Sequence, residues 1–479
     1  FSTGNFPASV SDTLLVLIPK GESQRTFKDF CPISLCNVIY KLVSKVLVSR
    51  LRPYLDSIIY PWQSSFIPGR STKDNAIVFQ EVVHHMHKSK SKTGDFLLKL
   101  DLEKAYDRLD WDFLEQTLKL YGFPERIVSL IMHGITSTSL SLLWNGKKLD
   151  GFKPIRGLRQ GDLLSPYLFV LCMERLGIMI QREVEEGRTE RNKRIHIVSR
   201  IYIYTCPSLT RFKMIENYLG FPMFQGRIHR RDFMALIERV NSKLTGWKSA
   251  LLNKAGRVTL ANVVLTALPS YGMQLYWYPQ YICDFIDKSV RSFIWHSMEG
   301  KGPHMVGWDK LTRPKNCGGL GIRTARNQNT ALLGKLVWDL LHPMHQLWVS
   351  VLKEKYLLQD SLFLSKKKSG SPTWRAIIQA LALLEDGLVL KLGNGEIDVW
   401  QDVWVGKEPL ATSVPWVDIH DSGLRVKDIW DGTSWRLDQL YTPLFKALRL
   451  KISCLTLHLV VGVPDLWTWA PDISRKYTV

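Results

Sequence analysis

The chain has 479 residues, 45% hydrophobic and 23% charged, a balance that supports a buried core and excludes wholesale disorder. At ~100–200 residues per domain, it holds roughly two to four domains. Lys and Arg number 64 against 44 Asp and Glu, a formal net charge of +20, which favours a polyanionic partner: nucleic acid first, an acidic membrane surface second.

In chain order, Leu14 to Ile18 reads as a short buried strand stopped by Pro19. From Asn37 to Leu55 the residues Val38, Leu42, Val43, Val46, Leu47 and Leu51 recur at helical spacing. Lys41, Lys45, Arg50 and Arg52 fill other positions, which predicts an amphipathic helix with a cationic face. Ser71 is placed to cap a helix running to about Lys88. Phe96 to Asp101 predicts a largely buried strand that ends on a carboxylate. Asp110 is an N-cap for the next helix, with Gly122 past its end, and Pro124 opens another. Leu140–Trp144, Asn145-Gly146 and Lys147–Phe152 make a hairpin signal, because Asn-Gly suits the positive φ angles of a two-residue turn. Ser165-Pro166 then starts a long helix toward Glu186. Strands and helices intermixed in this way argue for an α+β or mixed α/β fold.

The pattern changes after Gly187. Arg188 to Arg231 holds ten Lys and Arg but only two acids, Glu190 and Glu216. Helices dominate from Asp232, first over Phe233–Leu244 and then over Val258–Leu268, and fourteen of the 17 tryptophans lie beyond residue 240. Ser365 to Ser371, with three consecutive lysines, reads as an exposed loop or linker. No apolar run approaches the ~18–20 residues that span a bilayer. Seven scattered cysteines without a C-x-x-C pair support neither a disulfide framework nor a zinc site, and they fit a reducing, intracellular compartment.

Two segments carry chemistry. In Leu100 to Asp107 a carboxylate, Asp101, closes a buried strand, which is costly unless something uses or pairs it. Metal binding supplies such a use, with Asp107 as a turn holder or second ligand; the bland alternative has Asp101 accepting backbone hydrogen bonds and Tyr106 in the core. In Gly157-Leu158-Arg159-Gln160-Gly161-Asp162-Leu163-Leu164-Ser165-Pro166, two glycines, a cation and an amide precede a helix start, which suits phosphate or a nucleotide. A plain loop-to-helix cap is the bland reading there.

These segments belong to a series of blocks. Leu17-Ile18-Pro19-Lys20, Pro32-Ile33-Ser34-Leu35 with Tyr40-Lys41, Gln63 to Arg70 with Asp74-Asn75, Asp101 to Asp107, and Gly157 to Pro166 occur in the order found in one family. The chain resembles the reverse transcriptase of plant non-LTR (LINE-type) retrotransposons, the last two blocks being similar to palm motifs A and B. The similarity continues through Trp247 to Arg257, Pro269-Ser270-Tyr271, Gly318 to Arg323, and Leu392 to Trp404. The resemblance implies an RNA-directed DNA polymerase working by two-metal nucleotidyl transfer with Mg²⁺, an RNA template, a DNA primer and dNTPs. By resemblance Asp101 binds the metals, helped by the carbonyl of Leu102. Tyr106 stacks under the sugar and excludes a 2′-hydroxyl. Arg159, Gln160 and Gly161 line the nucleotide pocket, and Lys20 lies near phosphate. The implied setting is the cytoplasm and the nucleus, with no membrane partner.

The sequence also departs from the family. Motif C, an aromatic, Ala and two adjacent aspartates on a hairpin, has no counterpart, because no Asp-Asp pair exists in the chain. The stretch before Tyr218-Leu219-Gly220 is short, which reads as an internal deletion removing that hairpin and leaving an exposed sheet edge. An improvised strand through Ile201 to Tyr204 is the expected filling. Cys31 stands where the family has Arg, and Leu163 where it has Pro. The expected architecture is an α+β, incomplete right-hand polymerase: fingers and partial palm over 1–187, a basic junction over 188–217, a helical thumb-like region over 218–346, and a Trp-rich region over 347–479 that stops before the family's Cys/His segment. The expected function is a reverse transcriptase by descent that no longer catalyses; the alternative is a non-catalytic nucleic-acid-binding remnant.

Overall fold

A computed structural model of the protein describes residues 6–21, 23, 25–89, 94–99, 102–186, 196–198, 201–206, 217–224, 226, 228–245, 252–295, 304–344, 346–357, 362–365, 370–406 and 408–479. The chain divides into two compact units, Phe1–Asn75 with Ser89–Met214, and Ala76–Lys88 with Ile215–Val479.

The first unit contains β1 (Thr13–Pro19), β2 (Phe30–Cys36), α1 (Val38–Ile58), the start of α2 (Thr72–Lys88), β3 (Gly94–Lys99), α3 (Trp111–Leu120), α4 (Glu125–Thr136), β4 (Leu140–Trp144), β5 (Lys147–Phe152), α5 (Ser165–Glu185), β6 (His196–Val198) and β7 (Ile201–Cys206). One sheet has the order β2-β1-β4-β5, with Leu15 opposite Ser34 in antiparallel β2 and opposite Leu142 in parallel β4. The turn between β4 and β5 uses Asn145 at φ 47° and Gly146 at φ 78°, the left-handed pair that such a turn requires. Asn37 caps α1 by accepting from the Ile39 N–H at 3.0 Å, and Asp110 caps α3 through the Phe113 N–H at 2.9 Å. Helices α1, α3, α4 and α5 share a core that includes Leu51, Leu55, Leu114, Leu118, Ile131 and Leu168.

The phase of α1 differs from the sequence expectation. Its buried face is Tyr40, Ser44, Leu47, Leu51 and Leu55, while Val38, Leu42 and Val46 are exposed. The apolar positions of this helix cover two faces. Leu47 and Leu51 continue to Leu55, and Tyr40 finds a buried partner, so that face wins the core.

A second sheet has the order β3-β7-β6. Strand β7 runs antiparallel to β3 from Gly94 opposite Cys206 to Lys99 opposite Ile201, and β6 pairs with β7 as a hairpin. The strand expected through Ile201 to Tyr204 is present within β7, while the expected loss of a hairpin from this sheet is corrected. Backbone hydrogen bonding asks only for extended, β-prone residues, and Ile201-Tyr202-Ile203-Tyr204 supplies them.

The second unit holds the rest of α2, then β8 (Asn217–Tyr218), β9 (Phe221–Pro222), α6 (Met234–Thr245), α7 (Lys254–Leu260), α8 (Ala267–Met273), α9 (Gln280–Trp295), α10 (Trp308–Leu311), α11 (Ala325–Leu341), α12 (Leu347–Leu352), α13 (Pro372–Leu384), β10 (Leu388–Lys391), α14 (Lys446–Ser453) and β11 (Leu466–Trp469). A π-helical turn over Ala261–Leu265 separates α7 from α8, so the helix expected over Val258–Leu268 is interrupted. In α2, fully buried Gln80 donates to the Phe224 carbonyl at 2.7 Å. The buried Glu81 carboxylate accepts from Lys355 at 2.8 Å, Tyr356 at 2.7 Å and the Ser371 hydroxyl. The loop expected over Ser365–Ser371 thus ends on a fully buried Ser371, which caps α13 by accepting from the Trp374 N–H at 3.0 Å; residues 366–369 lie outside the described set. Trp348, Trp374 and Trp400 are fully buried core residues. Among the described residues, no helix is long and apolar enough to cross a membrane.

Candidate functional site

Residues 102–109 make a tight turn after β3. Lys104 adopts φ 50°, and its carbonyl accepts from the N–H groups of Asp107 at 3.0 Å and Arg108 at 3.1 Å. The turn carries the Tyr106 ring onto Phe169 of α5, stacked with centroids 4.9 Å apart at 17°. The exposed Arg108–Glu103 pair at 3.1 Å adds little, since screened surface pairs are worth at most about 1 kcal/mol.

The glycine-flanked loop lies between this turn and β2. Gly157 donates to the Leu109 carbonyl at 2.7 Å, Leu158 donates to the Tyr106 carbonyl at 2.8 Å, and the Trp111 indole donates to the Gly157 carbonyl at 2.9 Å. On the other side, Ser34 donates to the Gln160 carbonyl at 2.7 Å. Two positions demand glycine. Gly157 has φ 93°, and a Cβ there would stand 2.7 Å from the Asp107 carbonyl oxygen; Gly161 has φ 109°, and a Cβ would stand 2.8 Å from the Ser34 carbonyl oxygen. The close approach that these glycines permit is to the protein's own backbone.

Arg159 is buried, and its guanidinium donates to the Ser11 carbonyl at 2.9 Å, the Thr13 hydroxyl at 3.2 Å and the Gly134 carbonyl at 2.9 Å. It lies 4.0 Å over the Tyr40 ring and 4.0 Å from the Asp162 carboxylate. Asp162 accepts from Tyr40 at 3.2 Å and from Ser165, at the start of α5, at 3.3 Å. Burial pushes the Tyr40 phenol well above its ordinary pKa, which keeps it a donor to that carboxylate. The Arg159 donors thus point at the scaffold, the placement of a group that holds the loop.

Gln160 faces two predicted residues. Its amide nitrogen is 3.5 Å from Asp107 Oδ1, and its amide oxygen is 3.5 Å from the Cys31 thiol. A cavity of ≈ 260 Å³ is lined by Pro32, Ser34, Asp107, Trp111, Gly157 and Gln160, among others. Lys20 lies elsewhere: it is exposed, two residues past Ile18, the register partner of Cys31, and its ammonium donates to the Lys28 carbonyl at 3.0 Å. Leu102 is 42% exposed, and Asp101 lies outside the described residues. The structure therefore brings Tyr106, Asp107, Arg159, Gln160 and Gly161 together around one loop.

Sequence reasoning missed Ser34, Tyr40 and Trp111 as parts of this assembly. Asp162 and Ser165 carried a local signal, an acid three residues before a helix-opening serine. Ser34 carried none, because its partner is 126 positions away.

The β6–β7 hairpin stands next to the strand that leads into the Tyr106 turn. The two residues between its strands are Ser199 and Arg200, and residues 191–215 contain no Asp or Glu. Among the described residues, no group of three His, Cys, Asp or Glu side chains is placed to hold a metal ion.

Residues 18–200 match the family model described as reverse transcriptase (RNA-dependent DNA polymerase). The match ends at the second of the two residues that separate β6 from β7. A putative ribonuclease H protein of Arabidopsis thaliana is 35% identical over 54% of this chain and 43% of its own length. A retrovirus-related Pol polyprotein from a type-2 retrotransposable element of Drosophila melanogaster is 34% identical over 36% of this chain and 16% of its own length. The chain thus spans less than half the length of these curated relatives. Among solved structures, telomerase from Candida albicans in complex with a fragment of telomeric RNA is matched with a TM-score of 0.32 at 12% identity, over 73% of this chain and 67% of that one. With motif blocks in family order, a mixed helix-and-sheet fold around the Tyr106 turn and the Gly157–Gly161 loop, and the match over residues 18–200, the chain carries a reverse transcriptase domain similar to those of non-LTR retrotransposons.

Proposed function

We propose that this chain is an RNA-directed DNA polymerase of a non-LTR element by descent that has kept its palm sheet and lost nucleotidyl transfer. One observation carries the reading. The hairpin beside β3 is present as backbone, and neither its strands nor its turn holds a carboxylate. Two-metal transfer needs dications ~3.5–4 Å apart, clamped by carboxylates from facing elements. Asp101 alone supplies one negative charge against four positive ones, and at that separation the ions repel strongly in a partly dehydrated site. The residues present do not fit a pair of Mg²⁺ ions.

In this reading 1–187 forms fingers and partial palm, 188–217 a junction, 218–346 a thumb-like region and 347–479 a Trp-rich region. Tyr106, Gln160 and Gly161 face the space of a nucleotide, and Lys20 lies on the fingers toward phosphate. Arg159 holds the loop from behind. What survives is grip: a net charge of +20 favours RNA template and DNA primer through their phosphate backbones.

Primer extension on an RNA template with Mg²⁺, beside Asp101→Ala, tests the reading. Neither protein extends the primer, while both bind template–primer with a steep negative salt slope. Extension by the parent that Asp101→Ala abolishes overturns it, and binding indifferent to salt overturns the grip.

A further inference from the structure

The outward side of α1 is apolar. Val38 is 71% exposed, Leu42 59% and Val46 38%, and these residues recur every fourth position, so they form one stripe along the helix. Ile39, 56% exposed, borders the stripe on the helix. Scattered exposed apolar residues need no explanation, but a contiguous set on one helix face marks an interaction site.

The chemistry of the stripe narrows the occupant. Its residues are aliphatic, and aliphatic side chains give an unpaired base no ring to stack on, which argues against a nucleic acid. Lys41, Lys45 and Arg52 run along one flank at helical spacing, Arg50 lies on the other, and there is no acidic residue from Val38 to Leu55. Two copies meeting through this face would bring like charges together, which argues against self-association. A stripe two turns long, with ridges at i and i+4, accepts the ridges of another helix.

We propose that this face of α1 docks an acidic amphipathic helix of a partner polypeptide, its apolar side on Val38, Leu42 and Val46 and its carboxylates beside Lys41 and Lys45. The surface is independent of the polymerase reading.

The probe is a fluorescein-labelled 18-residue helical peptide with Leu on one face and Glu on both flanks, followed by anisotropy with the full chain. A second peptide carries Lys in place of Glu. The Glu peptide binds saturably, Leu42→Gln weakens it at least tenfold, and the Lys peptide binds at least tenfold more weakly. Lys41→Glu with Lys45→Glu reverses the preference between the peptides. All three positions are at least partly exposed, so the variants fold, which circular dichroism checks. Equal binding of both peptides, no binding of either, or no effect of Leu42→Gln overturns the proposal. A dimer in sedimentation that Leu42→Gln dissolves assigns the face to a second copy and overturns it too. So does binding of a single-stranded RNA that Leu42→Gln abolishes.

Discussion

The Gly157–Gly161 loop and the β6–β7 hairpin differ in what they keep. In the loop, backbone groups, glycines and side chains all have specific partners: Gly157 on Leu109, Ser34 on Gln160, Arg159 on three oxygens. The hairpin is described by its backbone ladders, β7 with β3 and β6 with β7. A ladder tolerates almost any β-prone sequence, because its hydrogen bonds come from the main chain. Side-chain chemistry has no such tolerance. A sheet can therefore form whatever side chains it carries, and its presence says nothing about catalysis.

The sharpest way to break this contrast is to give the hairpin back its charge. Ser199 and Arg200 precede Ile201, the register partner of Lys99, and Asp101 follows Lys99 by two residues. Ser199→Asp with Arg200→Asp is expected to take primer extension from undetectable to measurable and to make it dependent on Asp101. If the double variant remains silent while binding template–primer as the parent does, the turn is not where the missing carboxylates belong.

The next effect is in the loop. Arg159→Met leaves the Ser11 and Gly134 carbonyls and the Asp162 carboxylate without their cation. Removing one partner of a buried ionic cluster costs about 3–5 kcal/mol. A urea titration that moves by less than ~1 kcal/mol means that the loop does not depend on Arg159. Gly161→Ala comes after it. Forcing a side chain to φ 109°, with its Cβ 2.8 Å from the Ser34 oxygen, is expected to cost about 1–3 kcal/mol by the same titration.

Much of this was legible in the sequence, for physical reasons. Asp110, Asn145-Gly146 and Ser165-Pro166 act on neighbours within four residues, so their caps and turn could be read directly. The block order carried the family. The face of α1 could not be read, because Val38-Leu42-Val46 and Leu47-Leu51-Leu55 are equally apolar, and only the packing of α3, α4 and α5 chooses between them. The strand through Ile201 to Tyr204 was legible from its β-prone residues and is present within β7. The absence of Asp-Asp was visible too, but it pointed to the loss of the hairpin beside β3, whereas that ladder, between strands about a hundred residues apart, depends on backbone alone. Arg159 was read as a nucleotide ligand from its loop; its partners, Ser11, Thr13 and Gly134, lie in other elements.

Smaller effects separate the loop's two weak points. Cys31 stands beside Gln160 with a half-buried thiol, at the position where the resemblance implies Arg. Cys31→Arg alone is expected to leave extension undetectable. In the Ser199→Asp, Arg200→Asp background it should raise kcat/KM, because a guanidinium fork meets a triphosphate in a way a neutral thiol cannot. An equal gain in both backgrounds would put the first defect in the fingers rather than in the hairpin.

The smallest effect lies on α5, the helix that the loop opens. Glu174 is buried and accepts from the Tyr60 N–H at 2.9 Å, and burial raises its pKa despite that bond and the Arg70 charge. A carboxyl whose folded pKa is raised binds its proton more tightly in the folded state, so its contribution is most favourable below its unfolded pKa and is lost as pH rises through the folded one. Glu174→Gln keeps an acceptor for Tyr60 and removes the buried charge. The variant should therefore melt above the parent at pH 8, with the gap closing as pH falls toward 4. A gap that widens on acidification would mean that the attraction of Arg70, not desolvation, dominates at this position.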